Sequence, residues 1–420
     1  MENLKTRCVI AGGGPAGIML GYLLARNGID VIVLEKWPDF FRDFRGDTIH
    51  PSTMQNLYEL GLLEKFLKLP HQKTRRMVGH IGGEEITVAD FSWLNTRAAF
   101  IAFIAFIAFI PQWDFLNFLT AEAKQFKSFK ILMETDATNL IEEDMPPDDK
   151  GVRRRKVVGV KAKNKDGEFE IRAELVVGAD GRHSTIREKS GLELVETGVP
   201  IDVLWFRLST KESDPEQSFG FIDDGKVLVT LDRGDYWQCA FIIAKGQFDA
   251  IKEEGIERFR LRVASLAPFL SASTIELKDW DQVKFLSVSI DHLKTWHKPG
   301  LLMIGDAAHA MSPLGGVGIN LAVQDAVAAA NALVPAFKKG KPTEEDCAQI
   351  QKRREWPTRM TQRIQVFMQD KFLTPYLKTH GPLKVPWILR LFQKFPPIRW
   401  LPAHLVGIGF RPEHISSDLA

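Results

Sequence analysis

The residues best equipped for chemistry lie in glycine-rich turns at opposite ends of the chain. Residues 305–320 read GDAAHAMSPLGGVGIN. One carboxylate, Asp306, stands there among small residues, and an alanine-rich helix over 321–333 should follow. Such a carboxylate can accept hydrogen bonds from a polyol. The helix N-terminus that follows the loop can face an electron-rich ring. The other turn is Gly12-Gly13-Gly14-Pro15-Ala16-Gly17, in which Gly12, Gly14 and Gly17 form GxGxxG. Glycines at that spacing let the backbone approach a pyrophosphate. Glu35, 18 residues after the last of them, can accept from both hydroxyls of a ribose.

These turns need strands to launch them and helices to receive them. Residues 6–11 (TRCVIA) and 30–34 (DVIVL) read as buried strands, with a helix over 18–27 between them and Gly28 to end it. That is the strand–turn–helix–strand setting the glycine pattern requires, and it points to dinucleotide binding. NAD and FAD share the fingerprint, so this turn alone does not choose between them. A second apolar strand at 175–177 runs into Gly178-Ala179-Asp180-Gly181-Arg182, and a third at 301–304 runs into Gly305-Asp306.

With these three motifs in this order, the chain resembles the class A flavoprotein monooxygenases of the para-hydroxybenzoate hydroxylase type, a family that includes ubiquinone-biosynthesis hydroxylases. The likeness covers about residues 5–335. It implies an α/β (α+β) fold: a Rossmann-like FAD-binding domain (1–75, 110–195 and 285–340), an inserted antiparallel-sheet substrate domain (76–109 and 196–284) and a C-terminal helical region (341–420). It implies noncovalent FAD, held by Gly12, Gly14, Pro15, Ala16, Gly17, Glu35, Lys36, Arg45, Gln112, Asp180, Gly181, Asp306, Gly316, Gly318, Ile319 and Asn320. Glu35 would hold the adenosine ribose, Arg45 the pyrophosphate, and Gln112 and Asp306 the ribityl chain. The 318–320 amides would face the pyrimidine end, where a helix N-terminus stabilises negative charge by up to about 1–2 kcal/mol. Pro313 would lie beside the reactive edge of the ring. Arg45 as a plain solvated loop charge and Asp306 as a turn cap stay open as alternatives, and His309 reads as a packing or hydrogen-bonding residue.

The resemblance further implies an FAD-dependent oxidoreductase in which NAD(P)H is a transient reductant. O2 adds at flavin C4a, and the hydroperoxide hydroxylates an aromatic or polycyclic substrate. The alternatives within this fold are a polyprenyl reductase and a non-catalytic FAD-binding protein. Halogenation is disfavoured, because no WxWxIP segment occurs.

The remaining residues set limits. Lys plus Arg number 55 against 53 acids, a net charge of +2, which makes no case for nucleic acid. Cys8, Cys239 and Cys347 form no CxxC pair, so neither a disulfide scaffold nor a metal site is expected. No signal-peptide pattern opens the chain, and cytoplasmic residence as monomer or homodimer is the expectation. Alternating segments at 203–208, 218–222, 226–231 and 236–243 predict an antiparallel sheet. Its Arg207, Trp237 and Gln238 are candidates to line a substrate pocket, with sheet core the competing reading for Trp237. Four tyrosines against 28 phenylalanines favour an apolar aromatic or lipid-like substrate. The run EEDMPPDDKGVRRR at 142–155 reads as a solvated hairpin tip.

Two segments stand apart. Residues 100–110 repeat Phe-Ile-Ala with period three, matching neither strand nor helix, and such a strand must be buried on both sides. From Lys352 to Trp400, 11 cations face two acids among scattered aromatics. Packing of the tail's apolar face on the FAD lobe is the favoured reading, with contact to a membrane surface as the alternative.

Overall fold

A computed structural model describes residues 4–41, 48–94, 105–147, 151, 153–215, 219–379, 381 and 383–419. Strands Leu4–Ala11, Val31–Leu34, Gly167–Gly178 and Leu301–Met303 lie parallel in one eight-stranded sheet. Their continuous apolar character follows from cover on both faces. Cys8, Ile10, Val33 and Val177 point into a core shared with the first helix, Pro15–Arg26, and the long helix Gly318–Lys339. Val9, Ala11, Ile32 and Val176 point the other way, onto the antiparallel strands Asp136–Asp144 and Arg155–Asn164. The described ends of the acid-then-base run belong to this hairpin, where Arg155 pairs with Glu142 at 3.0 Å.

The Gly318–Lys339 helix runs well past the expected 333. By length and composition, the stretch Leu314–Lys339 is apolar enough to cross a bilayer, but 78% of its most apolar window is buried inside the protein. It lies between the first helix and the Glu344–Met368 helix.

A second sheet of seven strands has the order Lys284–Ser287, Ile201–Ser209, Tyr236–Ala244, Lys226–Asp232, Phe219–Asp223, Arg76–Ile81 and Glu84–Asp90. Its pairings are antiparallel except between Phe219–Asp223 and Arg76–Ile81, which run parallel. Helix Ile256–Leu266 covers one face through Phe259 and Val263, against Leu204, Phe206, Trp237 and Phe241.

The Phe-Ile-Ala segment is described from Ala105 onward. Ile107–Phe109 is the middle strand of a small sheet, between Thr48–Ile49 and Gln72–Thr74. Phe106, Ala108 and Ile110 enter the core of the first lobe, while Ala105, Ile107 and Phe109 pack with Phe91, Leu94 and Ala403. A period of three read by a strand of period two gives each face one Phe, one Ile and one Ala. The expected burial on both sides is what the strand shows.

The chain end departs from the expected packing. The Glu344–Met368 helix lies on the first lobe, but Trp387–Lys394 and Trp400–Gly407 cover Glu84–Asp90, an edge of the seven-stranded sheet. An uncovered edge strand is a liability, which accounts for that choice. Trp387 remains 73% exposed.

Candidate active site

Three turns interlock at the C-terminal ends of the parallel strands. Gly12 has φ +106, and a Cβ on it would stand 2.3 Å from the Ala179 carbonyl oxygen, so the first glycine turn lies against the Asp180-Gly181 turn. A Cβ on Gly17 would meet the Gly12 oxygen at 2.0 Å. One on Gly305, with φ +60, would lie 3.1 Å from the Ala16 Cβ, so the third turn touches the start of the first helix. Pro15 occupies that helix's first turn, where a missing N–H costs nothing.

Charged side chains tie the turns together. Arg182 donates from Nε to the Asp306 carboxylate (3.1 Å) and from a terminal nitrogen to the Met311 carbonyl (2.8 Å). Arg187 donates to the carbonyls of Asp306 and Ala307. Asp180 does not face the cradle. It accepts from the Ser184 hydroxyl and the Ile186 N–H, and burial raises its carboxyl above the usual range against those bonds. Its position is that of a helix-start brace, with Gly181 beside the open space. Glu35 accepts from the N–H groups of Gly13 and Trp37, both at 3.1 Å, which fixes the carboxylate at the end of its strand. The Lys36 ammonium sits 5.6 Å from the Trp37 ring centre.

The turn before the long helix is held from a direction the sequence did not indicate. Asn320 is 4% exposed, and its side chain accepts from the His50 N–H and the Thr53 hydroxyl while donating to the Thr48 and Gly316 carbonyls. The Thr48 hydroxyl donates to the Gly316 carbonyl at 2.8 Å. A Cβ on Gly316 (φ +62) would fall 2.3 Å from that hydroxyl oxygen. Asn320 thus contributes its side chain to the loop, besides the N–H that a helix start leaves unpaired. Gln112 opens helix Gln112–Ala123, immediately after the buried Phe-Ile-Ala strand. Arg45 lies outside the described residues.

FAD fits this arrangement. A Cβ on Gly14, Gly181 or Gly318 would meet nothing within 4 Å, so three of the glycines border open space while their neighbours are tightly packed. The helix starts at Pro15 and Gly318 supply unpaired N–H groups next to that space. Asp306, bonded to Arg182 through one oxygen, keeps 32% of its side chain exposed.

Opposite the turn at 313–316 stands the second face of the seven-stranded sheet, on which Val366, Leu373 and Leu377 also pack. Leu314 packs with Val203, Trp205, Val229, Ala240 and Ile242. Arg207 and Gln238 are cross-strand partners on this same face. The Arg207 guanidinium lies 4.7 Å from the Tyr236 ring centre, and Gln238 accepts from Arg233. Trp237, proposed with them from the sequence, points to the opposite face. It is 1% exposed, bonds Asp214 through its indole N–H at 2.7 Å and packs on Phe269. Neighbours in a strand face opposite ways, so Trp237 and Gln238 do not share a pocket wall. His309 is also away from the cradle, tilted against Trp296 and bonded to Asp325. Among the described residues, no group of three or more His, Cys, Asp or Glu side chains could hold a metal ion.

Known proteins agree with this geometry. The family described as FAD binding domain matches residues 5–363. The 6-methylpretetramide 4-monooxygenase of Streptomyces rimosus is 30% identical over 100% of this chain and 96% of its own length. The para-nitrophenol 4-monooxygenase of Pseudomonas sp. strain WBC-3 is 26% identical over 82% of this chain and 81% of its own. Among solved structures, PqsL of Pseudomonas aeruginosa, a probable FAD-dependent monooxygenase, superposes with a TM-score of 0.70 at 20% identity, covering 89% of this chain and 97% of that one.

Proposed function

This chain belongs to the class A FAD-dependent aromatic monooxygenases, and from that premise we propose that it uses NAD(P)H and O2 to hydroxylate an aromatic, polycyclic substrate. The observation that carries this reading is the facing of two surfaces. The Arg207–Gln238 face of the seven-stranded sheet meets the turn at 313–316, beside the open cradle between the glycine turns. FAD, when bound, supplies hydride acceptance and oxygen activation, which no side chain here can perform.

The chain's own residues bind, orient and exclude water. Glu35 holds the adenosine ribose; the amides at 13–17, with Arg45, hold the pyrophosphate. Gln112 and Asp306 hold the ribityl chain, with Arg182 fixing the Asp306 carboxylate. The 318–320 amides stabilise negative charge at the pyrimidine end. Pro313 would lie beside the reactive edge of a bound flavin, and Gly316, at φ +62, permits the turn that carries it. Arg207 and Gln238 orient polar groups of the substrate, while Trp205, Val229 and Leu314 keep water from it. The relative matched over 96% of its length is named for 6-methylpretetramide, which favours a polycyclic substrate over a single ring.

The experiment is NAD(P)H consumption and O2 uptake by the yellow holoprotein, across a panel of phenols and polycyclic polyketides. Stimulation by a polycyclic compound, with one oxygen atom gained by the product, is the expected result. Product formed equally well without O2 would replace the reading with that of a reductase. No stimulation by any compound would leave a non-catalytic FAD-binding protein.

A further inference from the structure

The Glu344–Met368 helix and the turn Gln369–Leu373 that continues it bury polar side chains where an amphipathic helix ordinarily buries apolar ones. Gln351, Arg354, Thr358, Gln362, Gln365 and Gln369 recur at three- and four-residue steps, and each is at most 9% exposed. Most of the glutamine hydrogen bonds go to residues 291–314, which carry the strands Ile290–Leu293 and Leu301–Met303 and end in the cofactor turn. Gln351 accepts from the Trp296 N–H and donates to the Lys294 carbonyl. Gln362 donates to the carbonyls of Asp291 and Ala310. Gln365 accepts from the Ser312 N–H (3.1 Å) and donates to the carbonyls of Ser312 (3.0 Å) and Leu314 (2.8 Å), bracketing Pro313 on both sides.

Arg354 reaches the other end of the same stretch through an intermediary. Its Nε donates to Asp325 Oδ1 (3.0 Å), and Asp325 Oδ2 accepts from the Gly305 N–H (3.0 Å) and from His309 (2.6 Å). A second Arg354 nitrogen donates to Glu413 (3.3 Å), which also takes Arg353 (2.7 Å). Asp325 and Arg354 are 0% and 1% exposed. The remaining Arg354 nitrogen has no partner among the described residues. A buried ion pair with a donor left over is a poor device for stability alone, since well-packed apolar residues usually serve as well or better. A buried irregular loop, by contrast, must find partners for its backbone groups, and whatever supplies them dictates its path.

We propose that this polar helix face is a rack that sets the cofactor turn. Arg354 is the positioning residue for the Gly305-Asp306 end and Gln365 for the Pro313 end. Neither touches FAD; each acts through groups that face the cradle. The proposal rests on the reading that Asp306 and its turn hold FAD, so the test includes Asp306→Ala.

FAD is titrated into the apoproteins of wild type, Asp306→Ala, Arg354→Met, Arg354→Lys and Gln365→Met, and thermal midpoints are taken with and without FAD. Arg354→Met, which removes the bonds to Asp325 and Glu413, and Gln365→Met, which removes the three bonds to Ser312 and Leu314, are each expected to weaken FAD binding by about tenfold. The FAD-linked rise in midpoint should shrink accordingly, with partial rescue in Arg354→Lys. A merely structural role would lower apo and holo midpoints together and leave the FAD-linked rise intact, and that result overturns the rack. If Arg354→Met does not fold, Gln365→Met and Arg354→Lys decide. Weak binding in Asp306→Ala alone overturns the rack and keeps the FAD seat; unchanged binding in Asp306→Ala removes the seat itself.

Discussion

Glu35 carries two duties, and they separate by substitution. Its carboxylate is held by two backbone N–H groups, and those same bonds aim it at the cradle. Glu35→Gln keeps one acceptor oxygen but loses the charge-assisted strength, so FAD affinity should fall by roughly tenfold while the apoprotein still folds. Flavin fluorescence on titration measures this, and an unchanged affinity would remove Glu35 from the ribose site. His50 illustrates what the sequence concealed. Burial pushes its imidazole down to about 4, with the Nδ1 bond to the Val406 carbonyl working the other way. In the unfolded chain the ring titrates near ~6.5. The folded state therefore takes up this proton less readily than the unfolded one. Its contribution to stability is whole above about pH 6.5, declines as pH falls from there, and levels off near pH 4, a loss of about 3 kcal/mol. His50→Asn places an amide nitrogen near the Nδ1 position without the titration. Denaturant unfolding at about pH 7 and about pH 5 should show the wild type losing more stability than the variant; equal losses would refute the assignment. Glu35 was legible because the glycine pattern dictates an acid at that distance. His50 was not, since its depressed titration comes from burial in the folded protein, and no local pattern links it to the helix near the chain end that its ring bonds.

The glycine turns make a sharper prediction about strand-to-helix units. Gly14 and Gly17 belong to one motif, yet their surroundings differ completely. A Cβ at Gly14 meets only open space, whereas one at Gly17 runs into the Gly12 carbonyl at 2.0 Å. Gly14→Ala should leave the apoprotein's thermal midpoint near wild type and weaken FAD by tenfold or more, because the methyl stands where a pyrophosphate must approach (about 1.4 kcal/mol per tenfold). Gly17→Ala should lower the midpoint of the apoprotein itself, since backbone atoms must move. Equal effects of the two on apo stability would mean that the cradle is not where the glycines border it. The strands and turns of the first lobe could be read beforehand because each follows a local rule: an apolar run, then glycines, then a helix start. The Glu344–Met368 helix obeys no such rule. From Gln351 onward its buried face is mostly glutamine, arginine and threonine, so hydrophobic periodicity gives little sign of which side is inside. Trp237 fell to a related limit, because alternation says that it and Gln238 differ in face but not which face is the pocket.

The two lobes share more than a boundary. Strand Ile107–Phe109 sends Phe106, Ala108 and Ile110 into the core of the first lobe. Its other face packs with Phe91, Leu94 and Ala403, beside Met77 and Leu231 of the second sheet. Helix Trp400–Gly407 lies over that same cluster, and His50, next to the turn at 313–316, bonds its Val406 carbonyl at 2.7 Å. Neither lobe can lose this strand without opening a face of the other, so they should unfold as one unit although they arise from separate stretches of sequence. Calorimetry of the apoprotein should therefore show a single transition, with calorimetric and van't Hoff enthalpies in agreement. Ile107→Ala leaves a cavity on the shared face worth about 2–5 kcal/mol. It should shift that one transition downward without splitting it. FAD, seated as proposed on the first lobe's turns, should raise the transition as a whole rather than part of it. Two resolved transitions, of which FAD raises one and Ile107→Ala lowers the other, would show that the lobes are stable independently. The buried Phe-Ile-Ala strand would then be a local filler rather than the joint between them.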